Sequence, residues 1–173
     1  NWLIREFDQW RPMRAHAAVI HISWYEASAW CHWAKRRLPS EAEWELAASG
    51  SPGNINEKRK YPWGDESPTV EHVNMNARAM RTIDVSALPE GDSSFGCRQM
   101  LGNVWEWTCS VYDRSYRGNE KKCVHEKNMN GNTLVVRGGS WKSDDQILIE
   151  NVTFINMATN AWQFRNVTFN STF

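Results

Sequence analysis

Two segments near the N-terminus have the apolar spacing of short amphipathic helices. Each opens with a serine followed three residues later by a glutamate, Ser23 with Glu26 and Ser40 with Glu43, and this capping box marks a helix start. Gly50 is placed to end the second helix. The predicted apolar faces are Trp24, Ala27, Trp30, Cys31 and Ala34 in the first segment and Ala42, Leu46 and Ala47 in the second. We therefore expect two helices joined by a tight turn.

The rest of the chain has strand-like stretches between long irregular segments. The apolar run at 17–22 predicts a buried strand, and residues 133–137 predict a strand that ends in a Gly-Gly bend. Residues 51–60 and 67–98 carry turn chemistry, which predicts loop and irregular coil. The tail from 148 to 173 predicts short strands. Regular periodicity therefore fades after the second helix.

The segment GNVWEWT, residues 102–108, places a glutamate between two tryptophans. In extended backbone Glu106 and Thr108 share one face while Trp105 and Trp107 share the other, so we expect two indoles side by side in a core and a carboxylate pointing away. A buried carboxylate needs a partner. A metal ion, an arginine or backbone amides would each serve, and the residues alone leave these alternatives open.

Length and charge narrow the function classes. The 173 residues fit a single domain with one core, and the 11 tryptophans suggest that large aromatic side chains build it. Basic and acidic residues number 20 each, so no charge excess points to nucleic acid or an anionic membrane. The chain has no apolar run of transmembrane length and begins at Asn1, and we interpret it as part of a longer chain.

The cysteines and histidines lack the spacing of a metal site. No CxxC, HxH or HxxxH occurs, and His16 and His21 would lie on opposite faces of a strand. We expect unpaired thiols and a cytoplasmic location. Three Asn-X-Ser/Thr sequons keep a secretory location open. The cysteines are Cys31, Cys97, Cys109 and Cys123, and the sequons lie at Asn151, Asn166 and Asn170.

Four motifs together resemble one family. HISWYEASAWCHWAKRRLPSEAEWELAA, YPWGDE, FGCRQMLGNVWEWT and VVRGGSW occur in the order found in the formylglycine-generating enzyme family, also called the sulfatase-modifying-factor domain. The likeness covers residues 17–141. It implies that residues 1–173 form a single α+β domain with a C-type-lectin-like fold and little regular secondary structure.

The resemblance also implies a structural calcium ion. The family wraps calcium with a loop that ends in the glutamate between the tryptophans, and the matching residues here are Gln99, Gly102, Val104 and Glu106. Such a set of oxygen donors is of the kind that calcium prefers. Gln99 stands where the family has asparagine.

The copper chemistry of formylglycine-generating enzymes is disfavoured. Those enzymes hold copper(I) with two cysteines after the Gly-Gly bend, because thiolates suit that soft ion. Ser143 and Leu148 occupy the matching positions. Formylglycine-generating oxidase activity is therefore the least favoured of the alternatives.

A closer likeness is to the C-terminal domain of the iron-dependent sulfoxide synthases of ergothioneine and ovothiol biosynthesis. The phrases WLIREFDQWRP, HISWYEA, DVSALPEGDSSFGCRQMLGNVWEWT and VVRGGSW carry it. It implies that an upstream DinB-like module binds iron(II) through three histidines, and that oxygen couples a cysteine or γ-glutamylcysteine thiol to a histidine-derived imidazole. The domain alone is then expected to be inactive.

By the same resemblance the domain contributes substrate binding and a tyrosine that supplies a proton. Tyr116 is the candidate for that tyrosine, and Asn156 is the candidate substrate-binding residue. Met157 and Ala158 replace the tryptophan and aspartate that follow in bacterial relatives. A non-catalytic lectin-like module that binds a ligand through its Asn-rich tail is the alternative.

Overall fold

The computed structural model describes residues 2–112 and 133–144, together with the backbone of 153–156. Helices and strands account for a minor part of these residues. The helices are α1 (Trp24–Trp33), α2 (Glu41–Ser49) and a 3₁₀ turn at Pro89–Gly91, and the strands are β1 (Leu3–Glu6), β2 (Gln9–Pro12), β3 (Gly50–Ser51), β4 (Asn54–Lys58), β5 (Glu106–Val111), β6 (Thr133–Arg137) and β7 (Thr153–Asn156). The strands form three antiparallel sheets, β1-β2, β3-β4 and β5-β6-β7. The expected α+β fold with little regular secondary structure is confirmed.

Both helices begin at the predicted capping boxes. The Ser23 backbone N–H donates to the Glu26 carboxylate at 2.6 Å, and the Ser40 N–H donates to the Glu43 carboxylate at 2.8 Å. Glu43 also accepts two hydrogen bonds from the Arg37 guanidinium, which with the Ser40 amide lowers the pKa of Glu43 to about 2. Gly50 ends α2 as predicted.

The buried faces of the helices differ from the predicted ones. α1 buries Trp24, Ser28 and Cys31, while Trp30 is 59% exposed. α2 buries Trp44, Ala48 and Ser49, whereas Leu46 is exposed. A helix turns by about 100° per residue, so Trp30 lies roughly 240° around the axis from Trp24, and a short helix packed on one side cannot bury both.

The core is divided into two clusters under the helices. One joins Trp44 of α2 to the loops, and the other joins Trp24 of α1 to Leu134 of β6. The members of the first are Trp44, Ala48, Tyr61, Val73, Met75, Met100 and Leu101, and half-buried Leu38, Trp107 and Val111 pack against the second. The Trp24 indole donates to the Thr108 carbonyl at 3.0 Å, which fixes α1 against β5.

The expectation that Trp105 and Trp107 fill the core together is met only in part: Trp107 packs against the cluster of Trp24 and Leu134, and Trp105 belongs to neither cluster of the described residues. Both are half-buried, and Trp107 donates its indole N–H to the Ile22 carbonyl at 3.2 Å. On the opposite face of β5, Thr108 is fully buried, and α2 covers Glu106 with the indole of Trp44.

Three further segments depart from or confirm the predictions. Residues 17–22 form no strand: the backbone pairs at one isolated bridge, Ala17 with Asp84, and Val19 is 72% exposed because no strand lies beside it. Residues 51–60, expected as a loop, contain most of the β3-β4 hairpin. Residues 67–98 are irregular apart from the 3₁₀ turn, as predicted.

The cysteines correct the expectation of unpaired thiols. Cys31 and Cys97 are free, but Cys109 on β5 is disulfide-bonded. Sequence spacing did not reveal this bond, because a disulfide depends on distances set by the fold. No helix in the described part of the chain has the length and apolar character to cross a bilayer.

Candidate functional site

The glutamate between the tryptophans and the double-glycine corner lie together. β6 ends at Arg137, and the chain then bends through Gly138 and Gly139, both at positive φ (97° and 77°). The Gly102 N–H donates to the Gly138 carbonyl at 2.7 Å, and the Trp141 N–H donates to the Asn103 carbonyl at 3.0 Å. The predicted Gly-Gly bend is confirmed, and it packs directly on the 99–104 loop.

The 99–104 loop is tightly coiled and pinned from several sides. Gln99, Gly102 and Asn103 all have positive φ, which turns the loop sharply within a few residues. The Asn103 side chain accepts from the Ile83 N–H at 2.9 Å and from the Asn74 amide at 3.1 Å. A side chain at Gly102 would collide with the Asn74 carbonyl, so only glycine fits this approach.

Within the described part of the chain, the Glu106 carboxylate accepts one hydrogen bond, from the Trp44 indole at 2.6 Å. Burial raises the pKa of Glu106 from its usual 4.5 to about 7, against the smaller lowering effect of the Trp44 hydrogen bond. Arg137 lies directly opposite Glu106 in the β5-β6 register, yet the two form no ion pair. Among the described residues, no cationic side chain therefore pairs with Glu106.

Arg137 is held by α2 instead. Its guanidinium is 3.2 Å from the Glu45 carboxylate and 3.7 Å from that of Glu41, and it stacks on the Trp44 ring with 4.9 Å to the centroid. Burial lowers the pKa of Arg137, and the two glutamates oppose this effect. The arginine thus braces the indole that holds Glu106, and it does not neutralise Glu106 itself.

The oxygen atoms around the corner suit a hard cation. The Gln99 amide nitrogen donates to the carbonyls of Asp84 and Ala87 at 2.9 and 3.0 Å, while its oxygen is buried without a partner. A Cβ added to Gly138 would lie 3.5 Å from the Val104 carbonyl oxygen, so this carbonyl lies beside the glycine corner. The buried Gln99 oxygen lacks a partner that a calcium ion would supply, and amide, carbonyl and carboxylate oxygens are the donors that calcium prefers.

The described residues do not fit a transition-metal centre. Residues 2–112 and 133–144 contain no group of three His, Cys, Asp or Glu side chains that could hold a metal ion. Ser143, at one of the copper-cysteine positions, uses its hydroxyl to accept the Ser140 N–H at 2.9 Å, and so it closes the turn after the glycines. Leu148 lies outside the described residues.

The predicted catalytic residue is not among the residues that the structure describes, since Tyr116 falls between 112 and 133. Asn156 is described by its backbone alone: it ends β7, opposite Thr133 of β6. Sequence reasoning missed the roles of Trp44 and Arg137. The sequence did contain a signal for Trp44. It is a large aromatic residue between two glutamates in the middle of the predicted second helix, and a tryptophan is usually buried at such a position.

Comparison with known proteins identifies the family. The sequence profile of the sulfatase-modifying factor enzyme 1-like domain, the FGE-sulfatase family, matches residues 5–169. The chain belongs to this family. A solved structure, that of PvdO from Pseudomonas aeruginosa, superimposes with a TM-score of 0.63 over 86% of this chain and 58% of PvdO at 22% identity, which supports the fold alone.

Relatives of known activity include two kinds of oxidising enzyme. Hercynine oxygenase of Mycobacterium tuberculosis is 41% identical over 146 residues, which is 82% of this chain and 34% of that protein. Hercynine oxygenase of Mycolicibacterium thermoresistibile is 39% identical over 75% of this chain and 30% of its own length. Formylglycine-generating enzyme of Streptomyces coelicolor is 32% identical over 76% of this chain and 44% of its own length. The chain thus spans about a third of the length of the hercynine oxygenases.

Proposed function

We propose that this domain is the C-terminal, substrate-facing part of a non-haem iron(II)- and oxygen-dependent sulfoxide synthase. The observation that carries the proposal is the 41% identity to hercynine oxygenase, against 32% to formylglycine-generating enzyme. Ser143 supports it, because a hydroxyl engaged with the Ser140 amide cannot replace the thiolate that copper(I) needs.

The reaction would join the thiol of cysteine or γ-glutamylcysteine to a carbon of a histidine-derived imidazole. One oxygen atom of O₂ ends in the sulfoxide, and the other leaves as water with the two hydrogens lost from the thiol and the ring. The described residues of this chain hold no iron-binding group, so we assign the iron to a DinB-like unit elsewhere in the full protein. This domain would supply Asn156 for substrate binding and Tyr116 as the proton donor.

The test is turnover by the full-length protein. Supplied with iron(II), oxygen, cysteine and histidine betaine, it should form a sulfoxide that mass spectrometry detects. Tyr116→Phe should lower sulfoxide formation at least tenfold, while the substitution Tyr25→Phe, at an exposed tyrosine of α1, leaves turnover unchanged. Turnover by residues 1–173 without any other unit, or an unaffected Tyr116→Phe variant, would contradict the proposal.

We also propose that Gln99, Gly102, Val104 and Glu106 bind a structural calcium ion. The buried, ionisable Glu106 carboxylate and the unpartnered Gln99 oxygen support it. Millimolar calcium should then raise the melting temperature of the wild type, since a ligand present at 100 times its Kd stabilises the folded state by about 2.7 kcal/mol. Glu106→Gln should abolish this shift, and magnesium should reproduce little of it. An unchanged wild-type melting curve would exclude the site.

One observation favours a second candidate, a ligand-binding module in an oxidising compartment. Cys109 is disulfide-bonded, and such bonds persist mainly outside the cytosol. Mass spectrometry of the protein from its native cell decides between the candidates. Glycans at Asn151, Asn166 or Asn170 would support the module, and an alkylatable Cys109 thiol would support the cytoplasmic enzyme.

A further inference from the structure

The β1-β2 hairpin, residues Leu3–Pro12, stands out from the body of the domain. Both of its strands are exposed along their whole length. The register places Leu3 opposite Pro12 and Trp10 opposite Arg5 on one face, and Ile4 opposite Arg11 on the other. The first face of this hairpin arm therefore presents mainly apolar side chains to solvent, while the second face carries Ile4 among the polar residues Glu6, Gln9 and Arg11.

The exposed apolar surface of the arm is large. Phe7 at the tip is 99% exposed, Trp2 is 81% exposed and Trp10 is 65% exposed. Leu3, Ile4 and Met13 are also exposed. Contiguous apolar surface of this kind marks an interaction site in soluble proteins. A two-stranded hairpin alone is marginally stable in water, so this arm needs a packing partner to stay formed.

The tip of the arm carries an aromatic residue where glycine is usual. Phe7 has a φ of 55°, while Asp8, the second residue of this two-residue loop, is not at positive φ. Hairpin loops with that pattern normally have glycine first, because a bulky side chain there is strained. A fully exposed phenylalanine in this strained backbone conformation points to a functional contact of its side chain.

We propose that the hairpin arm is the docking element for the second structural unit of the full-length protein, the unit that holds the iron. This inference rests on the proposed function. The chain spans about a third of the length of the hercynine oxygenases, so most of such a protein lies outside this domain. A reaction shared between two units requires them to be held in a fixed relation, and an arm with an exposed aromatic tip and an exposed Trp10 face fits an apolar groove on its partner.

Oxidative footprinting of the full-length protein tests the docking. Trp33, on α1, is 80% exposed and serves as the internal control for Trp2. Hydroxyl-radical oxidation of Trp2 and Trp10 should be at least tenfold slower than in the urea-unfolded protein, and Trp33 should react close to its unfolded rate. Oxidation of Trp2 and Trp10 at their unfolded rates would overturn the proposal.

A substitution in the arm tests whether docking of the arm is what protects Trp2 from oxidation. Trp10→Ser in the full-length protein should raise the oxidation rate of Trp2 at least fivefold, because the arm loses its largest apolar contact. The matched change Trp33→Ser should leave that rate unchanged. No difference between the two variants would contradict the proposal.

A photoreactive benzophenone analogue in place of Phe7 identifies the occupant. Cross-links to the second unit within the same polypeptide support the proposal, whereas cross-links to another copy, to residues 2–173 of the same domain, or to nothing overturn it. Sulfoxide turnover is measured separately on the unmodified protein. A docked arm without turnover would sink the proposed function alone, and turnover with a solvent-exposed arm would sink the docking alone.

Discussion

Replacing Glu106 with glutamine measures the cost of holding a negative charge inside this domain. Burial raises the pKa of this carboxyl group from 4.5 to about 7, and the Trp44 indole is its one hydrogen-bond donor in the described structure. The folded-state pKa thus lies above the unfolded-state value. Without calcium, the stability associated with the protonated group is complete below pH 4.5 and is lost as the pH rises to about 7.

The pKa difference sets the magnitude. At about 1.4 kcal/mol per pH unit, the rise from 4.5 to about 7 corresponds to about 3 kcal/mol of unfolding free energy at pH 8. Glutamine resembles the protonated carboxyl group and keeps an oxygen for the Trp44 N–H. In chelator, Glu106→Gln should therefore be more stable than the wild type by about 3 kcal/mol at pH 8 and nearly equal to it at pH 4.

Urea unfolding followed by tryptophan fluorescence provides the measurement, at pH 4, 6 and 8 with EDTA present. Glu71→Gln, at an exposed position, is the matched control and should behave like the wild type throughout. Millimolar calcium should then stabilise the wild type and leave the stability of Glu106→Gln unchanged. At pH 8 the variant's advantage in unfolding free energy should therefore shrink or change sign. If Glu106→Gln is no more stable than the wild type at pH 8 in EDTA, the reasoning about its buried charge is refuted.

Three further substitutions probe the frame around this carboxylate. Gly102→Ala should destabilise the protein by at least about 2 kcal/mol more than Gly53→Ala in urea unfolding. Both glycines have positive φ, but of the two only Gly102 is so close to other backbone atoms that a new methyl group would collide with them. Equal costs for the two substitutions would contradict this packing. Arg137→Met should cost about 2 kcal/mol by removing the buried guanidinium that bonds to the half-buried Glu45 and lies beside Glu41, and a cost below about 1 kcal/mol would refute the bracing role. Ser40→Ala should cost about 1 kcal/mol by removing the cap of α2, as read from the melting temperature, with exposed Ser67→Ala as the silent control.

The sequence was sufficient for features that local chemistry decides. Capping depends on residues three apart, so Ser23 with Glu26 and Ser40 with Glu43 could be predicted to start the helices, and both do. The Gly-Gly bend after β6 was predictable for the same reason, since glycine is the residue that tolerates positive φ. The fold and the family were predicted from the order of four motifs, because four motifs in one order are far more specific than a periodic pattern of apolar residues.

The choice of buried faces was decided by tertiary structure. Trp30 and Leu46 fit an amphipathic pattern but are exposed, because each helix is covered on one side alone. The run at 17–22 has the composition of a buried strand but lacks a neighbouring strand, and a strand is stabilised by its partner as much as by its own residues. The hairpin arm at Leu3–Pro12 was not predicted from the sequence. Its strands are exposed along their whole length, so they lack the one-sided burial on which strand prediction depends.

The candidate site divides in the same way. The residues by themselves determined that a carboxylate follows a Gly-Asn pair and is flanked by two tryptophans, and separately that a strand ends in a Gly-Gly bend. They left open whether a metal ion, an arginine or backbone amides would partner it. The fold decided part of that question by long-range contacts, since α2 brings Trp44 to Glu106 and draws Arg137 away toward Glu41 and Glu45. Residues about 60 to 90 positions apart make these contacts, and no local pattern encodes which of several nearby charges a buried side chain will meet.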